Sequence, residues 1–157
     1  MIIRSLPTLL LGGLLSLQAW AFDEGIDYTV LSTPQPTETG DKIEVLEVFM
    51  YTCPHCFHLE PTLDNWQETK PANVEFRRMP AVFGPRPDLQ ARAFYAAELL
   101  GVEDKFTLAM FDTLHVKKQK VTDENAVVAV AEGAGIDGAE FRKALDSFFV
   151  NMKVNRA

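Results

Sequence analysis

Between Lys42 and Tyr51 the chain is apolar at Ile43, Val45, Leu46, Val48, Phe49 and Met50, so an extended segment here has two greasy faces. That pattern predicts a strand in the middle of a covered sheet. After Cys56 the period lengthens: Phe57, Leu59, Leu63 and Trp66 suit one face of a helix. Pro61 falls inside it and predicts a kink, because its missing N–H deletes the bond to the Phe57 carbonyl. Val74 to Met79 predicts a second strand, and a strand–helix–strand order implies parallel pairing.

From about Asp88 onward the pattern is helical. Leu89, Ala93, Ala96, Ala97 and Leu100 make an apolar stripe ended by Gly101. A second helix is expected from Glu103 to His115. A third follows Thr122, with Asp123 and Glu124 in its first turn, and stops near Gly133 or Gly135. The last starts at Asp137, where Glu140 resembles the partner in a capping box, and carries the stripe Phe141, Leu145, Phe148 and Met152. Ahead of the first strand, Asp27 to Leu31 predicts a short edge strand, and Ser32 to Asp41 reads as a loop. The fold class is α/β, a small sheet carrying a helical block from about residue 88 to 153. Two clear strands are few, since a two-stranded sheet is rarely stable alone.

The N-terminus changes this picture. A basic start, Met1 to Arg4, leads into an apolar run from Leu6 to Leu17, and Ala19-Trp20-Ala21 offers the small-x-small pattern of a signal peptidase site. The run is short for a bilayer span. Residues 1–21 are therefore expected to be a cleaved signal peptide, leaving 22–157 as one exported, soluble domain. Arg4 is the only charge in that leader, so its removal takes the formal net charge from −7 to −8. An acidic chain is a poor partner for nucleic acid or for an anionic membrane surface.

The only two cysteines, Cys53 and Cys56, lie in the run Cys53-Pro54-His55-Cys56 at the junction of the first strand and its helix. So short a loop gains little from closure, and the pair points to reactivity rather than to a staple. A cysteine at a helix start faces unpaired N–H groups and the positive end of the dipole, and both favour its thiolate. Cys56, one turn deeper, is placed to attack a mixed disulfide made by Cys53. Pro54 suits the first helical position, having no N–H to lose. His55 can add positive charge or a donor near the Cys53 sulfur and so make the disulfide a better oxidant. Glu47 stands among apolar residues six positions before Cys53, where a carboxylate is costly unless it is useful. It is the candidate proton acceptor for Cys56, with burial expected to raise its pKa.

Blander readings stand beside these. Zinc held by Cys53, Cys56, His58 and His115 has suitable ligand types, but the spacing fits no common finger. His58 reads as a solvent-facing helix residue, and Met50 as core rather than a copper ligand. The thiol chemistry calls for no cofactor and no metal. A carrier that binds metal or folding intermediates through the same thiols is the alternative of another class; an isomerase or a reductant is the alternative within redox chemistry, the first disfavoured by the absence of a dimerisation domain.

Val45-Leu46-Glu47-Val48-Phe49 leading into Cys53-Pro54-His55-Cys56-Phe57, followed by Gly101-Val102-Glu103-Asp104-Lys105, closely resembles the periplasmic disulfide oxidases of the DsbA family. Ala134-Gly135-Ile136-Asp137 and Asn151 after Ser147-Phe148 are similar as well. The resemblance implies a thioredoxin-like fold with a helical insertion. It implies a periplasmic enzyme that oxidises thiols of unfolded, newly exported proteins, with Cys53 as the attacked sulfur. It also implies reoxidation by a membrane quinone-linked partner similar to DsbB, and Glu47 matches the family's buried acid. Family members continue into a cis-proline strand, a hairpin partner strand and a final helix. This chain stops at Ala157, and it is expected to be truncated, with that hairpin and helix missing.

Overall fold

The computed structural model describes residues 22–83 and 88–157; the expected signal peptide, 1–21, lies outside them. The chain divides into two compact units, one ending at Pro36 and one running from Thr37 to Ala157. In the first, the described residues form a turn in which the Gly25 N–H donates to the Tyr28 carbonyl at 2.7 Å, with a single bridge from Glu24 to Tyr28. The edge strand expected at Asp27 to Leu31 is not formed. Asp27 is taken up in closing that turn, its carboxylate accepting from the Asp23 N–H, and Tyr28, Val30 and Leu31 stay exposed.

In the second unit the sheet consists, among the described residues, of β1 (Ile43–Phe49) and β2 (Val74–Pro80), paired in parallel as the strand–helix–strand order implies. Ile43 lies opposite Val74, Glu47 opposite Arg78 and Phe49 opposite Pro80. Alternation therefore puts Val45, Glu47 and Phe49 on one face with Phe76 and Arg78. The connecting helix α1 (Pro54–Thr69) covers that face, Trp66 setting its ring edge on Phe76 at 5.9 Å. The helix is continuous through Pro61. The expectation of a strand buried on both faces is corrected on the other side, where Leu46 and Val48 remain 40% and 56% exposed. Helices pack on one face of β1 far more closely than on its reverse.

The helical block begins at α2 (Leu89–Leu99), capped by Asp88, whose carboxylate accepts from the N–H groups of Gln90 and Ala91. Gly101, at φ +67°, ends it: the Val102 N–H turns back to the Ala97 carbonyl and the Gly101 N–H to that of Glu98. The α3 helix (Glu103–Phe111) does not continue regularly to His115. Asp112–Val116 is wound as a π-helical turn, with Lys117 N–H bonded to the Asp112 carbonyl. Next come α4 (Glu124–Gly133), capped by Asp123, and α5 (Gly138–Leu145), capped by Asp137 as expected.

The single last helix expected from Asp137 is two helices. Ser147 leaves helical geometry and its hydroxyl accepts from the Val150 N–H, starting α6 (Phe148–Arg156) in a new phase. The predicted stripe breaks there: Phe141 and Leu145 are buried, whereas Phe148 is 83% exposed and Val150 and Val154 turn inward instead. The core joins this block to the end of β1. Phe49 meets Tyr51 and Phe94 edge-on at 5.0 and 5.4 Å, and Tyr51 meets Phe111 at 5.3 Å. Two aromatic side chains flanking Met50 are thus seated in the helical block, which fixes where the chain delivers Cys53.

Candidate active site

Cys53 is the N-cap of α1, with φ −80° and ψ 116°, and Pro54 follows at the first helical position. Its own N–H donates to the Met50 carbonyl at 3.1 Å, and its carbonyl accepts from the Phe57 N–H at 3.2 Å. A tight turn, Met50 to Cys53, thus feeds the helix. Geometry of this kind leaves the first-turn N–H groups without backbone acceptors, and the sulfur takes their place. The Cys56 N–H, then the Cys56 thiol and the His55 N–H, point at the Cys53 sulfur and hold its pKa below the ordinary thiol value. Cys56 is half-buried against the core. Burial first, then the neighbouring Cys53 and the charge of Glu47, push its thiol upward, against a Met50 N–H that favours its thiolate. The two sulfurs are therefore unlike: one an accessible thiolate former, the other a retained thiol. Both are free.

The exposed side chains of Pro54 and His55 flank this pair at the open end of the helix. The visible contact of His55 with the Cys53 sulfur is its backbone N–H, which any residue but proline would supply. Met50 departs from expectation. Its side chain is 38% exposed rather than core, because alternation past the buried Phe49 turns it to the opposite face. His58 is exposed, as expected. His115 is engaged through Nε2 with the Tyr51 carbonyl at 2.7 Å. Among the described residues no group of three or more His, Cys, Asp or Glu side chains could hold a metal ion.

Beneath the pair, on the covered face of the sheet, lies a charged cluster that the sequence reading found only in part. Glu47 is there, its Oε2 accepting from Arg78 Nε at 3.0 Å across the strand register. A second Arg78 nitrogen reaches Glu60 of α1 at 2.8 and 3.0 Å. Asp104 comes within 3.6 Å of the same guanidinium but is open to solvent. One guanidinium thus serves two carboxylates in a desolvated place, the Arg78 side chain being 7% exposed and Glu60 5%. Burial pushes the Glu60 carboxyl up to about 7, outweighing Arg78, with the Glu47 charge adding to the rise. The second oxygen of Glu47, Oε1, is buried with no protein partner. Glu60 could have been suspected, since it stands four residues after Cys56 and so on the same helix face. Arg78 could not, because only the parallel register brings it to Glu47.

The fold has counterparts among known proteins. A family profile described as a DSBA-like thioredoxin domain matches residues 78–157. The thiol:disulfide interchange protein DsbA of Pseudomonas aeruginosa is 35% identical over 140 residues, 89% of this chain and 66% of its own length. The protein of the same name from Burkholderia cepacia is 35% identical over 162 residues, covering 98% of this chain and 76% of its own length. The crystal structure of Pseudomonas aeruginosa DsbA superposes with a TM-score of 0.74 at 35% identity, covering 81% of this chain and 66% of that one. The chain thus spans about 66% of the length of the first of these relatives.

Proposed function

Because the chain belongs to the DSBA-like thioredoxin domain family, we propose that it is a thiol:disulfide oxidoreductase that oxidises the thiols of unfolded, newly exported proteins in the periplasm. The observation that carries the reading is the unlike pair of sulfurs at one helix start, Cys53 held low and Cys56 held high. In the oxidised protein a substrate thiolate attacks the Cys53 sulfur. The Cys53–Cys56 bond breaks, Cys56 leaves with the electron pair and takes up a proton, and a substrate–Cys53 mixed disulfide forms. A second substrate thiol, losing its proton, attacks the substrate sulfur of that bond. Cys53 is expelled as the thiolate that the helix start stabilises, and a stabilised leaving group makes this step fast. The substrate is oxidised by two electrons and the protein is left as a dithiol. A membrane quinone-linked partner similar to DsbB then takes those electrons. In that half-reaction the Cys56 thiol has to lose its proton to attack, and the unpartnered Oε1 of Glu47 is a suitable acceptor. No helix among the described residues is long and apolar enough to cross a membrane.

Stopped-flow oxidation of a reduced dithiol peptide by the oxidised protein tests the reading, with regeneration by a small disulfide followed separately. The wild type is expected to oxidise the peptide stoichiometrically; no thiol loss from the peptide would sink the reading. His55→Ala removes a side chain able to place positive charge or a donor at the helix start and is expected to shift the glutathione equilibrium about two- to fivefold toward the protein disulfide. Glu47→Gln is expected to slow regeneration about tenfold while leaving the Cys53 thiolate titration in place.

A further inference from the structure

His115 lies 62 positions beyond Cys53 in sequence, yet it touches both sides of the cysteine pair. On one side its Nε2 is 2.7 Å from the Tyr51 carbonyl oxygen. A carbonyl only accepts, so Nε2 carries the proton and donates. On the other side its ring stacks on Phe57, centroids 4.9 Å apart and planes within 8°. Phe57 is in the first turn of α1 and is tied to Cys53 through its N–H. Tyr51 opens the other flank, in the turn whose Met50 carbonyl accepts from the Cys53 N–H and whose Met50 N–H faces the Cys56 sulfur. The ring is brought there by the π-helical turn Asp112–Val116, and π-turns inside helices often mark functional places.

Resting on the exchange reading above, we propose that His115 is a positioning residue for the reaction: it clamps the entering turn by a hydrogen bond and the first helical turn by stacking, so that the backbone N–H groups converge on the two sulfurs. It makes no hydrogen bond to either sulfur and acts through Tyr51 and Phe57. The Tyr51 residue is 1% exposed, so without His115 its carbonyl would lose a donor that water cannot readily replace. A turn released in this way swings Met50 relative to Cys56 and loosens the seat of Cys53. Both changes stabilise the disulfide relative to the thiolate.

Two variants separate the clamp from mere packing. His115→Phe keeps a ring on Phe57 and removes the donor; His115→Gln keeps a donor and removes the ring. The readouts are the thiolate absorbance of the reduced protein against pH, the glutathione equilibrium constant and the thermal melt. His115→Phe is expected to raise the Cys53 titration and to shift the equilibrium about three- to tenfold toward the protein disulfide, the range of one lost hydrogen bond. His115→Gln should fall closer to wild type than His115→Phe. Equal titrations and equilibrium constants in all three proteins overturn the proposal, and so does a lowered melt with unchanged redox readouts. Should His115→Phe fail to fold, His115→Gln is compared with His115→Ala, and equal redox constants in those two again overturn it. A wild type that fails to oxidise the peptide sinks the exchange reading instead, while the titrations still judge the clamp.

Discussion

Cys56→Ser is expected to capture disulfide-bearing molecules as lasting mixed disulfides on Cys53, while Cys53→Ser captures almost none. In Cys56→Ser the accessible thiolate remains, backed by the N–H groups of the first helical turn, and no neighbouring thiol is left to release what it binds. In Cys53→Ser the remaining thiol is half-buried and pushed upward by burial and by the Glu47 charge, so it is largely protonated near neutrality. Each unit of separation between the two thiols multiplies the thiolate fraction at low pH about tenfold and costs about threefold in intrinsic nucleophilicity. Access adds to that difference. At pH 6 the Cys56→Ser protein should therefore react with iodoacetamide at least about tenfold faster than Cys53→Ser. Intact mass after incubation with glutathione disulfide reads the capture, and alkylation rates against pH read the titrations. Equal rates for the two variants would remove the asymmetry on which the proposed function rests.

That asymmetry was legible in the sequence, because every part of it is local. An apolar run of strand length gives way at Cys53 to a helical period, Pro54 marks the first helical position, and the spacing puts Cys56 one turn on. Glu47 was legible for a different reason, as a charge interrupting an apolar strand. Its partner was not. Arg78 meets Glu47 only through the register of a parallel pair, and register is set by the whole packed unit. The second carboxylate, Glu60, was hidden in an ordinary polar helix pattern and becomes costly only once Arg78 is seen to be shared.

The misread elements have similar causes. Phe148 and Met152 continue the spacing of Phe141 and Leu145, so periodicity alone extends one helix across Ser147. The signal against that reading was Ser147 itself, an N-cap type with a free hydroxyl for the Val150 N–H. The π-helical turn at Asp112 leaves no comparable mark, since one extra residue in a turn does not change which residues are apolar. It is that turn, however, which brings His115 to the cysteine pair. The fold-level resemblance was carried by short runs around the cysteines and the helix ends, and the family profile extends it over residues 78–157, the whole helical block.

Arg78→Met is expected to be the most damaging single substitution in the charged cluster, and its cost should depend on pH. The wild-type guanidinium holds Glu47 at 3.0 Å and Glu60 at 2.8 Å in a place nearly closed to water. Removing one partner of a buried ion pair typically costs about 3–5 kcal/mol, and here two carboxylates are left facing each other. Protonation relieves that cost, so the loss should shrink as pH falls. Glu60 gives the sign in the wild type. Its folded pKa is raised to about 7 from an ordinary 4.5, so between those values the folded chain keeps a proton that the unfolded chain has shed. Stability from this group is therefore fully present below about pH 4.5 and declines as pH rises through 7, by roughly 3–4 kcal/mol at about 1.4 kcal/mol per unit. Glu38 and Glu75, both lowered by cation partners, act in the opposite sense but below about pH 4.5, outside that window. Glu60→Gln is uncharged throughout and should flatten the decline between pH 5 and 7. Urea unfolding of the wild type, Arg78→Met and Glu60→Gln at pH 5 and pH 7 measures all three effects. A wild type equally stable at both, or an Arg78→Met loss that does not shrink at pH 5, would show that Glu60 is ionised in the folded protein and that Arg78 is not what holds the two carboxylates together.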